Sequence, residues 1–263
     1  MYETILLLFC SGNQQLLNLL LRMFLTRYMK KSEVSLDAVK AASGTAAAIM
    51  LQRHVIHNFS LMLGLAHTAL GALSESVEDC DIVGCCKALR KMDGRLSPLL
   101  RTLAAEKDCV ARLPQDIDSR YVAPLKEAVD NAGIMAHNLR MAMELSRNFL
   151  AESGAALPLA YGCELAIVLE DMCESLSEFS RCLAMDEFSD SDILEKIWLE
   201  CEFLNHLSRQ YAGENYPRDG RCGRATEFYL SLLQYLSVFM KAVRRNVRIM
   251  SDFKNNALIY SLG

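Results

Sequence analysis

The chain has 263 residues, 52% hydrophobic and 23% charged, with 13 Gly, 5 Pro and a net charge of −4 from 28 Lys+Arg against 32 Asp+Glu. The apolar content excludes a disordered chain, and the scarce Gly and Pro exclude a collagen-like or linker-rich one. Aromatics at 8% beside abundant Leu, Ala and Met favour helices over sheets.

The first element is an uncharged stretch, Thr4 to Leu21, which reaches the length of a membrane span. Ser11, Gly12, Asn13, Gln14, Gln15 and Asn18 interrupt it, and no basic stretch or A-x-A site marks a secretory signal. Two readings stay open for residues 1–34. One is an amphipathic helix from Asn13 to Lys31; the other is a membrane-segment stump whose inner side is marked by Arg22, Arg27, Lys30 and Lys31.

Ser35 or Asp37 then caps a helix to about Ser76, in which Gly44 suggests a break. Its stripe of Phe59, Met62, Leu63, Ala66, Leu70 and Leu73 has the three- and four-residue spacing of a core face. Asp79 opens a second helix to about Glu106, where Pro98 predicts a kink or an early stop. Residues 107–118 read as a loop, and a third helix runs from Ser119 to Ala151. After Ser153-Gly154, Pro158 suits the first turn of a fourth helix to about Glu187. Ser189 caps a fifth from Asp190 to Ala212, and a Gly- and Pro-bearing loop leads to a last helix from Arg224 to about Phe253. Residues 254–263 read as a tail.

The order of helices repeats. Asp81-Ile82 and Leu96-Ser97 recur as Asp192-Ile193 and Leu207-Ser208, and Tyr121, Leu125, Asn138 and Arg140 recur as Tyr229, Leu233, Asn246 and Arg248. The expected architecture is therefore all-α, with two tandem three-helix units over residues 36–152 and 155–253 behind the N-terminal helix.

Enzyme motifs are missing: there is no phosphate-binding glycine loop, no GxSxG elbow and no dinucleotide fingerprint. None of the five histidines has the Glu three residues ahead that a di-iron bundle needs. His54 and His57 stand one turn apart without an acidic neighbour in sequence and read as a structural or surface pair; Glu202 and His206 read as helix-surface support. The ten cysteines include no CxxC pair and read as reduced, mostly buried thiols of a cytoplasmic protein. No cofactor is expected.

Two charge constellations stand out. Glu170, Glu174 and Glu178 repeat every four residues with Asp171 beside them; they form either a solvated face relieved by Arg181 or a neighbouring helix, or a weak candidate site for a hard divalent cation. Lys241, Arg244, Arg245 and Arg248 form a basic stripe on the last helix. Residues 218–254 carry a net +5, which leaves −9 on the rest. The stripe is either a solvated face or a contact for an acidic protein, anionic headgroups or phosphate. Nucleic acid is not expected, because the chain is acidic and no aromatic platform interleaves with the stripe.

Ser35-Leu-Asp-Ala-Val, Phe59-Ser-Leu-Met-Leu-Gly-Leu-Ala-His-Thr-Ala-Leu and the run from Arg221 to Leu236, in two units whose long last helices share an Asn, resemble the PhoU-like family. The likeness is greatest to the cytosolic C-terminal helical domain of bacterial sodium/phosphate cotransporters. The resemblance implies a non-enzymatic regulator of phosphate transport that contacts a membrane transporter at the inner face of the membrane. The basic stripe of Lys241, Arg244, Arg245 and Arg248 is the expected contact surface, and a homodimer is the default expectation for a helical module of this kind. The resemblance also implies metal clusters on ExxxD motifs. If Asn138 and Asn246 are the family asparagines, those positions here hold Asp130, Ile134, Val238 and Ala242, so the clusters are expected to be lost. The competing expectation is a cytosolic scaffold or adaptor unrelated to phosphate.

Overall fold

The computed structural model describes residues 39–40, 44–79, 82–113, 117, 119–152, 157–185, 190–213 and 221–260, and the readings of residues 1–34 lie outside them. Six long helices follow one another: α1 Gly44–Asp79, α2 Ile82–Ala111, α3 Ser119–Ala151, α4 Leu159–Met185, α5 Asp190–Gly213 and α6 Arg221–Tyr260. The protein is all-α over these residues, as its composition requires.

Most boundaries fall where the turn chemistry puts them. Helix α3 spans the residues expected of it, while the suggested break at Gly44 borders residues outside the described ones. The Pro158 carbonyl accepts the Gly162 amide at 3.0 Å, so Pro158 stands just outside α4 as its cap. Two expectations are corrected. Pro98 does not stop α2, which continues five residues past Glu106 to Ala111. Leu99, Leu103, Cys109 and Val110 extend its buried stripe beyond the proline, and Pro98 faces solvent, so packing outweighs the lost backbone bond. The Ser97 hydroxyl donates to the Asp93 carbonyl at 3.1 Å beside that gap. The tail is also shorter than expected: α6 continues through Tyr260, because no Gly or Pro interrupts residues 254–260.

Helices α1, α2 and α3 pack on one another, α5 packs on α4 and α6, and the two halves join through α1 against α4 and α3 against α6. Aromatic pairs mark these seams. Phe59 meets Phe179 edge-on at 5.5 Å between α1 and α4, and Phe149 stacks on Phe228 at 4.0 Å between α3 and α6. Within the second half, Tyr161 of α4 stacks on Tyr229 of α6 at 4.6 Å. One continuous cluster of buried apolar side chains runs through all six helices, so neither half has a core of its own. The residues expected to face the core of α1, from Phe59 to Leu73, are all buried. Residues 47–75 of this helix are long and apolar enough to cross a membrane, and in the structure its apolar stripe is covered by α2, α3 and α4.

Candidate docking surface

The second half presents three parallel strips on one side: α4, then α5, then α6. Side-chain contacts fix their register. Glu200 of α5 accepts a hydrogen bond from the Ser175 hydroxyl of α4, and Lys196 of α5 reaches Glu174 at 3.2 Å and Glu178 at 3.6 Å. On the other side of α5, Asn205 accepts from the Ser237 hydroxyl at 3.0 Å and from Lys241 Nζ at 2.9 Å. Both pairs are therefore antiparallel.

The α4 strip is the acidic constellation. Glu170, Asp171 and Glu174 are exposed, with Glu178 at the margin. The Lys196 ammonium occupies the position between Glu174 and Glu178 that a cation would take, so relief comes from the neighbouring helix. Both carboxylates in turn hold the Lys196 charge, raising its pKa against the opposing effect of its partial burial. Among the described residues no three His, Cys, Asp or Glu side chains converge as a metal group. Glu174 and Glu178 thus form a lysine-bridged surface with α5.

The α6 strip is the basic stripe. Lys241, Arg244, Arg245 and Arg248 are all exposed. Lys241 leans on Asn205, and Arg244 with Lys241 lowers the pKa of Cys201, which burial raises to about 11. Arg245 is 100° further round the helix and turns away from α5. The counterpart of Arg248 in the first half, Arg140, pairs with Asp93 of α2 at 3.5 Å. The stripe belongs to the second half alone, since the other matching positions hold Gly133, Ala136 and His137.

Between the strips α5 buries Ile197, Cys201, Leu204 and Leu207. On its outer side Trp198, Leu199 and Phe203 are 41%, 55% and 43% exposed. The sequence carried this signal, because these residues fall outside the buried stripe of their own helix. Glu202 and His206 lie on the same outer side and are exposed.

Two buried carboxyls were not legible from the sequence. Glu106 of α2 is fully buried, accepts a hydrogen bond from Asn58 Nδ2 at 2.7 Å and stands 3.6 Å from His54 Nε2. Burial pushes it up to about 7, against the opposing Asn58 hydrogen bond. Burial likewise pushes Glu200 up to about 7; the Ser175 hydroxyl and Lys196 oppose that shift, while Asp171 and Glu174 add to it. Each leaves one carboxyl oxygen, Oε2, buried without a hydrogen-bond partner. The expectation that His54 lacks an acidic neighbour holds only along the chain, since the fold brings Glu106 to it.

Cys86, Cys109, Cys163, Cys173 and Cys201 are reduced thiols. Burial raises Cys173 to about 12, the carboxylates of Glu170, Glu200 and Glu75 adding to it, so this thiol stays protonated. Of the positions where the resemblance implies metal ligands, Asp130 pairs with Lys107 at 2.7 Å, Ile134 and Val238 are surface-exposed and Ala242 is buried. The paired asparagines differ too. Asn138 donates to Ile134 in its own helix, whereas Asn246 donates across to the Ala128 carbonyl of α3 at 3.1 Å. No family model, curated protein or solved structure matches the chain.

Proposed function

We infer that the chain is a non-catalytic, PhoU-like helical protein that regulates or accompanies phosphate transport by docking on a membrane transporter. The observation that carries this reading is the outward basic stripe of α6, in which Arg245 and Arg248 are exposed and form no ion pair among the described residues. Exposed guanidiniums cost little to present and meet carboxylate or phosphate groups with two parallel hydrogen bonds. The succession of three mutually packed helices and three more, joined through their first and last members, supports the two-unit reading of residues 36–152 and 155–253. A non-catalytic role is favoured by the chemistry of the titrating groups. The two carboxyls raised to about 7 lie inside helix–helix seams, and Cys173 and Cys201 are held as neutral thiols.

The second reading is a helical adaptor unrelated to phosphate. The exposed Trp198, Leu199 and Phe203 favour it, because an apolar ridge serves any protein partner. A photoreactive amino acid in place of Arg245, activated in cells that make the full chain, separates the two. Cross-links to a membrane protein of phosphate transport are the expected result. Cross-links confined to soluble proteins would transfer the reading to an adaptor.

A further inference from the structure

We propose that residues 13–31 of this chain, which lie outside the described ones, dock as an amphipathic helix in the groove between α4 and α5. The groove comes from uneven packing, because α5 lies closely along α6 and only sparsely along α4. Polar contacts cross it, from Ser175 to Glu200 and from Lys196 to Glu174 and Glu178. Large apolar side chains nevertheless front it. Phe203 follows Lys196 by two turns and shares its side of α5, and Leu199 stands one turn before Phe203. On α4, Ile167 precedes Glu174 by two turns and shares the side that Glu174 turns to α5. The antiparallel register set by Ser175 and Glu200 brings Ile167 toward the Phe203 end of the groove. Leu199 and Ile167 are each 55% exposed. Exposed apolar side chains grouped along one groove mark a docking surface. Trp198 stands on the α6 side of α5 and is not part of it.

Charge selects the occupant. Glu170, Asp171, Glu174 and Glu178 line the α4 rim, and Glu195 and Glu202 stand on the outer side of α5. Against these six carboxylates stand Arg181, Lys196 and Arg209, which leaves a net of −3. Lys196 is already held by Glu174 and Glu178. An apolar groove with acid on both rims fits a helix whose apolar stripe has basic flanks. Residues 13–31 have that pattern. Leu17, Leu20, Leu21, Phe24 and Tyr28 recur at helical spacing, with Arg27 and Lys30 on one flank, Arg22 on the other and Lys31 at the end. The segment contains no acidic residue.

Position agrees with charge. Helix α1 is antiparallel to α4, since Phe59 meets Phe179 while the Cys173 thiol donates to the His67 carbonyl at 3.6 Å. The start of α1 therefore stands at the end of the molecule where α4 passes into α5, and where Glu178 and Glu195 open the groove. Residues 32–38 join Lys31 to the buried Val39 at that end, with a reach of up to about 23 Å. A segment entering there sets Arg27, Lys30 and Lys31 beside the acidic rims. Its uncharged residues 13–21 then lie toward His206 and Arg209, so no like charges meet. The groove is separate from the basic stripe of α6, because α5 stands between them.

The test is photocross-linking of the full chain with benzoylphenylalanine in place of Phe203, and in a second protein in place of Ile167, followed by mass mapping. The expected products are bonds within one chain to residues 13–31. Bonds to another stretch of the chain, to a second copy, to lipid or to another protein, or no bond from either position, would each overturn the proposal. A membrane-segment role for residues 1–34 would yield the lipid or membrane-protein products. Hydrogen exchange gives an independent readout, with Leu199→Asp and with Glu174→Lys combined with Glu202→Lys. Amides of residues 17–31 are expected to exchange about tenfold or more faster in each variant than in the wild-type chain, with those of α1 unchanged. High salt should speed them in the wild-type chain as well. Phe203→Ser replaces Leu199→Asp if the latter lowers the melting temperature. Equal exchange of this segment in wild type and variants would overturn the proposal.

Discussion

Asn58 donates to Glu106 at 2.7 Å across the seam between α1 and α2, and the hydrogen bond ends on a carboxyl that has no exposed surface. Glu106 is raised from 4.5 to about 7 in the folded protein. Between those two pH values the folded chain therefore holds a proton that the unfolded chain has released. Stability conferred by the neutral acid is fully present below about 4.5, declines as pH rises and levels off above about 7. Glu106→Gln keeps a neutral acceptor for Asn58 and removes the titration. Urea unfolding is expected to show a shallower decline from pH 5 to 7 for the variant. At pH 8 the variant should be more stable than wild type, by at most on the order of 3 kcal/mol. Parallel pH profiles for the two proteins would remove the account of Glu106.

Glu200 makes the same kind of contact between α5 and α4, but its hydrogen bond comes from the buried Ser175 hydroxyl. That bond lowers the pKa of Glu200 and so favours its charged form. Ser175→Ala should therefore push Glu200 further up and weaken the chain chiefly above neutrality. The expected loss is ~1–3 kcal/mol at pH 8 and less at pH 5. Unfolding free energies at the two pH values check this, and a loss of equal size at both would contradict it.

Asn246 is fully buried and crosses from α6 to the Ala128 carbonyl of α3, near Met135. Removing its amide leaves that carbonyl without this partner and opens a small void. Asn246→Ala is expected to cost ~1–3 kcal/mol in denaturant unfolding, with the slope unchanged. Asn138→Ala should cost less, because its amide returns to its own helix rather than joining two.

Phe59 and Phe179 are buried where α1 meets α4. Truncating either to Ala should cost ~3–5 kcal/mol. Because one core runs through both halves, the loss should appear as a single cooperative transition shifted to lower denaturant. Two separate transitions in the Phe59→Ala chain would mean that the halves fold independently.

The helices were legible in the sequence wherever a stripe of apolar residues ran uninterrupted between turn residues. The run Phe59 to Leu73 fixed the core face of α1, and the region from Ser153-Gly154 to Pro158 marked the entry to α4. The end of α2 was missed because Pro98 is a local signal, while Leu99, Leu103 and Val110 hold the helix through contacts with other helices. Both charge strips were visible from their four-residue repeats. What the spacing could not show was that Lys196 lies against one strip, or that Asn58 and His54 approach Glu106 from another helix. Those pairings depend on tertiary register, which a single helix does not encode.

The central claim is that the outward arginines of α6 engage a phosphate transporter. Uptake of labelled inorganic phosphate tests it most directly, in cells making either this chain or a chain with Arg245→Glu and Arg248→Glu at equal abundance. Both residues are exposed, so folding should be unchanged, within about 0.5 kcal/mol per site. The account predicts an altered uptake rate in the variant cells, by severalfold. Uptake identical to that of the wild-type chain would contradict it.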